Sequence, residues 1–320
     1  MSPTGDIWQF VDATALPEQA QVCAGWGDQP TPRVSIICLT FNHVAYLEDT
    51  LRGLLLQRTD FPFEILVFDD ASTDGTSDIV RRYAAEYPAI IRAFIRPENT
   101  YSQGIMPRIF NVEEARGDYL AVCEGDDFWT DPNKLQVQFD FLEAHKDVVI
   151  CGHDALTIDH NGAVGPLKLA AKHRQDATPD QLSRCERHIL TLTMMYRNLA
   201  LPEPFERNMV INGDSFLNSL IGAHGSYHFH ADIRPAVYRV HPGGVWSDIG
   251  NRAQMENHAN LFFWLSCFYK RHGNKALGAV FEQKFLTKSN DIRYQASRFG
   301  RMRLALRRLL KAGRRIRRLR

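Results

Sequence analysis

Apolar residues along this chain cluster in short unbroken runs: Val34 to Leu39, Phe63 to Phe68, Ile90 to Ile95, Tyr119 to Cys123 and Val148 to Cys151. Runs of this length without polar alternation mark strands buried on both faces of a sheet. Between them the apolar positions change period. Val44, Leu47, Leu51, Leu54 and Leu55 fall at helical spacing, as do Ile79, Val80, Tyr83 and Ala84, and then Leu135, Phe139 and Leu142. Strands alternating with helices predict an α/β layer fold, a Rossmann-like, mainly parallel sheet flanked by helices. The segment from Arg187 to Arg197 fits helix or strand equally, and by periodicity it is core.

Ligands of such folds bind outside the carboxyl ends of the strands. Three successive strand ends here are polar: Thr40 with Asn42, Asp69 with Asp70, and Glu124 with Asp126 and Asp127. Parallel strands would bring them to one rim. Clustered carboxylates repel and lose solvation on burial, and a divalent cation with hard oxygen ligands relieves both costs. A solvated acidic turn that caps the next helix is the other reading of the same residues. No glycine-rich dinucleotide fingerprint follows the first strand, and no P-loop occurs anywhere. Phosphate held among acids without such a cradle calls for metal bridging, which points to a nucleotide diphosphate.

Four stretches resemble a known family. Val34 to Asn42 (VSIICLTFN), Phe68 to Thr76 (FDDASTDGT), Ala115 to Tyr119, and Glu124 to Lys134 (EGDDFWTDPNK) are similar to the family 2 inverting nucleotide-sugar glycosyltransferases of GT-A fold. The resemblance runs from about Arg33 to Ser247. It implies that Thr40 and Phe41 contact the nucleobase, that Asn42 belongs to the nucleotide site, and that Asp70 or Asp69 accepts from the imide N–H of uracil or thymine. Glu124-Gly125-Asp126 stands where the family has D-x-D, with Glu in place of the first Asp. Glu124 would then face the ribose, Asp126 would hold Mn²⁺ or Mg²⁺, and Asp127 would orient the metal shell or the sugar. Asp214, within Ile211-Asn212-Gly213-Asp214-Ser215, would be the general base, although Gly213 stands where an acid often precedes it. Helix capping is the plainer role for Asp214. In Tyr238 to Ser247, His241 would bind the metal or the diphosphate, and Arg239 the diphosphate.

The resemblance therefore implies an inverting, metal-assisted transferase that moves a sugar from a UDP-type donor to a hydroxyl of a glycan or lipid-linked acceptor, as in polysaccharide biosynthesis. A nucleotide-sugar binder of the same fold that transfers nothing is the alternative. The expected organisation is an irregular arm over 1–32 and a catalytic domain over 33–250. That domain divides into a nucleotide half, 33–151, and an acceptor half, 152–250. A helical C-terminal region follows over 251–320.

Charge changes the picture at the end of the chain. From Arg298 to Arg320 there are 11 Lys/Arg and no Asp/Glu, against 27 Lys/Arg and 37 Asp/Glu in residues 1–297. Apolar residues at 299, 302, 306, 309, 310, 316 and 319 make this tail a basic amphipathic pattern, which reads as a binder of an anionic membrane surface. A helix docked on the acidic body or a solubilising tail fits the same composition. The tail lacks interleaved aromatics and a base-reading module, which argues against nucleic acid. Six scattered cysteines without CxxC spacing, and no basic-then-apolar leader, predict a reducing, cytoplasmic setting with peripheral membrane contact at most.

Overall fold

The computed structural model describes residues 15–29, 31–103, 112–244, 246 and 249–296. The chain divides into two units. The larger comprises Met1–Pro202 and Gly213–Gly244, and the smaller Glu203–Asn212 and Val245–Arg320.

The larger unit is built on a seven-stranded sheet. Its strands are β1 (Val34–Thr40), β2 (Phe63–Asp69), β3 (Ile91–Ile95), β4 (Tyr119–Val122), β5 (Val148–Gly152), β8 (Met195–Arg197) and β9 (Ser226–Phe229), in the order β3-β2-β1-β4-β8-β5-β9. β3, β2, β1 and β4 are parallel, β8 runs antiparallel between β4 and β5, and β9 is parallel to β5. The sheet is thus mixed but mostly parallel, and the ambiguous 187–197 stretch supplies its central antiparallel strand.

The apolar runs are unbroken because both faces are covered. Val34, Ile36 and Cys38 of β1 pack with Ile65, Val67, Tyr119 and Ala121 into one core cluster. Ile37, Leu66, Phe68, Leu120 and Val122 point the other way into a second. Alternate residues of one strand therefore feed two cores, the period-two geometry of a strand. The covering helices are α2 (Leu47–Leu55), α3 (Thr76–Glu86) and α4 (Lys134–Ala144), with α6 (Gly213–Ile221) contributing Leu217 and Ile221 to the second cluster. Two shorter helices complete the unit, α1 (Gln19–Cys23) and α5 (Pro179–Ser183).

The stretch that reads as an irregular arm is partly ordered onto this body. Beyond α1, Trp26 is buried, meets the Phe63 ring edge-on at 5.2 Å and donates from Nε1 to Thr59 Oγ1 at 3.0 Å. A second, three-stranded sheet joins β6 (Ala155–Asp159), β7 (Val164–Leu167) and β10 (Ala236–Val240) in the order β10-β6-β7. An isolated bridge from Phe128 to Val237 ties this sheet to the acidic stretch after β4. The smaller unit contains α7 (Asn251–Arg271) and α8 (Lys275–Ala296). No described helix is long and apolar enough to cross a membrane. The basic tail, 298–320, lies outside the described residues.

Candidate active site

Three strand ends meet at one rim of the larger unit. Thr40 is the register partner of Asp69, and the amide of Asp70 donates to the Thr40 carbonyl at 3.1 Å. Gly125 N–H donates to the Leu39 carbonyl at 2.8 Å, so the acidic turn after β4 lies against the end of β1. Only glycine fits there. A Cβ at Gly125 would stand 2.8 Å from Thr40 Oγ1 and 3.0 Å from His43 Nδ1.

Several rim residues are committed to the fold. Asn42 adopts a left-handed φ of 54°, its Oδ1 accepts from Thr73 N–H at 2.8 Å, and its own amide donates to Ser72 Oγ. Asp69 is fully buried and accepts from the Ser72 amide and hydroxyl and from Ser77 Oγ, which braces the turn into α3. Both Asp70 oxygens hold the next loop, accepting from Thr100 N–H and Oγ1 and from Tyr101 N–H. Burial raises the Asp70 pKa, but these bonds and Arg96 outweigh it and leave it below the ordinary value. Phe41, by contrast, is exposed, and the buried Thr40 Oγ1 has no hydrogen-bond partner.

The acids after β4 take different roles. Asp127 points inward, 3% exposed, and accepts the Arg239 amide at 2.8 Å. It is not among the three residues of the possible metal-holding group, and its carboxylate pins β10. Arg239, expected on the diphosphate, is also held within the protein. Its guanidinium donates to the Asp126 carbonyl at 2.9 Å, pairs with Asp49, and lies over the Phe128 and Tyr46 rings at 4.7 and 5.2 Å. That set of partners makes it a strut between α2 and β10.

What remains open is a compact group. Single donor atoms of His43, Asp126 and His241 all lie within 4.8 Å of one another. Asp126 Oδ2 is 3.1 Å from His241 Nε2 and 3.9 Å from His43 Nε2. His241 Nδ1 is 3.0 Å from the Pro242 carbonyl, an oxygen that can only accept, so Nδ1 carries a hydrogen, and Nε2, which donates to Asp126, would ligate a metal on losing its own. The hydrogen bond to Asp126 raises the His241 pKa against burial. Burial raises that of Asp126, but His241 and His43 outweigh it and lower it. Burial lowers His43, whose Nδ1 has no partner. Sequence reasoning gave His43 no role; its signal was its place three residues past the end of β1.

Glu124 and Asp214 are the two remaining acids expected at the site. Burial, then the charge of Asp126, pushes the Glu124 carboxyl up to about 8, with Asp214 adding to the shift. Asp214 lies in the first turn of α6, half-buried. Its Oδ2 accepts from Thr191 Oγ1 at 3.1 Å and its Oδ1 from Ser215 N–H at 2.7 Å. One carboxylate and two imidazoles around one space form a donor set that fits a divalent cation of borderline hardness.

Residues 35–194 match the model for glycosyl transferase family 2, and the chain belongs to that family. An uncharacterized protein of Mycobacterium tuberculosis is 35% identical over 214 residues, which is 67% of this chain and 60% of that one. The match thus spans less than two thirds of that relative's length. Among solved structures, S. aureus TarS in complex with UDP-GlcNAc is similar in fold, with a TM-score of 0.56 and 18% identity over 83% of this chain and 74% of that one. The mannosyltransferase PcManGT from Pyrobaculum calidifontis, in complex with GDP-Man and Mn²⁺, has a TM-score of 0.51 and 18% identity over 97% and 90%.

Proposed function

We propose that this chain is a metal-assisted inverting glycosyltransferase that moves a sugar from a UDP-type donor to a hydroxyl of a glycan or lipid-linked acceptor. The observation that carries the reading is the convergence of His43, Asp126 and His241 on one small space. In this reading the three-residue group holds Mn²⁺ in preference to Mg²⁺, because imidazole nitrogens suit the softer ion, and the ion supplies charge neutralisation for the leaving diphosphate. The UDP assignment is supported by the fold shared with TarS, whose structure contains UDP-GlcNAc.

Asp214 is the general base. Its carboxylate takes the proton of the acceptor hydroxyl while that oxygen attacks the anomeric carbon, and the bond from that carbon to the diphosphate breaks on the opposite face, which inverts the centre. Thr191 Oγ1 and the Ser215 amide fix the carboxylate without neutralising it. Glu124, held partly protonated by its neighbours, is suited to hydrogen-bond the donor ribose or sugar as a neutral carboxyl. The exposed Phe41 and the unpartnered Thr40 Oγ1 remain the base-side contacts of choice. The basic tail and the absence of a spanning helix among the described residues support a peripheral enzyme on the inner membrane face.

The test combines a thermal shift against nucleotide sugars, with and without Mn²⁺, and turnover of the same panel by Asp214→Asn. UDP-sugar stabilisation that requires Mn²⁺, with a variant that binds but turns over about 10²–10⁴ times more slowly, is the expected result. Equal turnover by the variant would remove Asp214 as the base. Donor binding without any transfer by the wild type would favour a non-catalytic binder.

A further inference from the structure

The smaller unit carries an apolar surface that the active-site chemistry does not use. Of ten large hydrophobic side chains exposed among the described residues, six belong to this unit, including Phe205 at 56%, Met209 at 49% and Phe263 at 42%. Phe205 and Phe263 are joined through neighbouring rings. Trp264 lies 6.0 Å from Phe205 and 5.2 Å from Phe263, and Phe263 lies 5.5 Å from Phe285, centroid to centroid. The patch is held rigidly. Glu206, 1% exposed, accepts from Arg271 Nε and NH2 at 2.8 and 2.7 Å, and Asn260 Nδ2 donates to the Met209 carbonyl at 2.7 Å. These bonds fasten the 3₁₀ turn Phe205–Met209 to α7, with Phe205 and Met209 left outward.

Charge is divided sharply between the two units. The smaller has 19 Lys/Arg against 6 Asp/Glu, and the larger 19 against 31. Eleven of the basic residues lie in 298–320, directly after α8. Contiguous exposed apolar surface marks an interaction site, and aromatic rings flanked by Lys and Arg suit the boundary between lipid headgroups and acyl chains.

We propose that the Phe205–Phe263–Trp264–Phe285 patch rests in the headgroup layer of an anionic membrane and inserts there while the tail binds the surface charge. The two contributions differ in salt sensitivity. Each basic residue near such a surface raises affinity roughly fivefold, and salt screens that gain. The apolar contribution persists at high salt.

The test is vesicle flotation of the full chain on phosphatidylcholine with and without phosphatidylglycerol, at low and high salt, beside Phe205→Ser/Phe263→Ser and a chain ending at Gln295. The wild type should float only with the anionic vesicles and retain part of its binding at high salt. The double variant should lose that salt-resistant part and about tenfold in affinity at low salt. Lipids brominated along their acyl chains should quench wild-type tryptophan emission, and Trp264→Phe should remove that quenching. This readout stands even if the double variant folds poorly. Equal binding by wild type and double variant overturns the proposal, as does emission unaffected by the brominated lipid. A wild-type dimer that the double variant dissolves with vesicle binding unchanged overturns it in favour of a second copy of this chain.

Discussion

Replacing Arg239 with Met tests whether its guanidinium is a strut or a ligand. The side chain is 7% exposed and makes two charge-assisted contacts, to Asp49 and to the Asp126 carbonyl, and two ring contacts, to Phe128 and Tyr46. A hydrogen bond to a charged group contributes about 1.5–3 kcal/mol. Asp49 is a third exposed, so solvent screening argues for the lower end of that range. Each cation–ring contact adds about 0.5 kcal/mol at least. Methionine keeps much of the stem packing but none of these, so the expected loss is about 4 kcal/mol. For a unit of this size that lowers the melting temperature by about 8–16 °C. Asp49→Asn should cost only about 1 kcal/mol, since the guanidinium keeps its other partners. The assay is calorimetric melting of both variants, with the donor KM measured well below the transition. An unchanged melting temperature with a large rise in KM would refute the argument and put Arg239 on the diphosphate.

Three further outcomes follow from the same coordinates. His43→Ala should weaken Mn²⁺ binding in titration calorimetry by at least about tenfold, whereas His145→Ala, at the end of α4, should leave it unchanged; equal affinities would remove His43 from the donor set. Gly125→Ala forces a Cβ onto Thr40 and His43, and it should cost about 1–3 kcal/mol by urea denaturation and weaken Mn²⁺ binding, whereas wild-type values for both would show that the close approach does not matter. Lys134 is fully buried beside Trp129, and burial lowers its pKa from 10.5 to about 7. Between those values the unfolded chain holds a proton that the folded chain lacks, so stability rises with pH by up to about 1.4 kcal/mol per unit. Lys134→Met should flatten that slope, and parallel urea-derived curves for wild type and variant would contradict it.

The sequence made the sheet centre plain, because strands covered on both faces leave apolar runs that no other element produces. β1, β2 and β4 are such runs. The three-stranded sheet was hidden for the opposite reason. β6 pairs with β10, some 80 residues later, and its residues are only partly buried, so neither periodicity nor proximity announces the pairing. β8 was ambiguous because a strand of three residues is too short to show any period. The site was legible as a set of acids and not as a set of contacts. Adjacent acids such as Asp126 and Asp127 point in different directions at a turn, and the partners that decide their roles come from elsewhere. The Arg239 amide that claims Asp127 and the His241 ring beside Asp126 lie more than a hundred residues along the chain.

That division of labour explains how the rim tolerates so much negative charge. Asp69 and Asp70 are answered by amide and hydroxyl hydrogens of the Ser72–Ser77 and Thr100–Tyr101 segments. Such donors stabilise a buried carboxylate and at the same time fix the turns that shape the rim. Asp127 accepts the Arg239 amide of β10, which does not offset its burial and the charges of Asp126 and Glu124. Among the described residues no side chain donates to Glu124, whereas Asp126 has His241, with His43 beside it. The cost therefore falls on Glu124 and Asp127, whose carboxyls are pushed up by burial first and then by the charge of Asp126. Asp214 adds to the shift of Glu124. A divalent cation with its nucleotide diphosphate answers that charge only while bound. Asp126→Asn should cost the free protein some stability, because His241 and His43 hold its carboxyl below the ordinary value, and it should also abolish Mn²⁺-dependent donor binding. The binding readout separates a binding site from an acidic turn. If Asp126→Asn destabilises the free protein and leaves Mn²⁺-dependent binding intact, Asp126 is a structural acid like its neighbours.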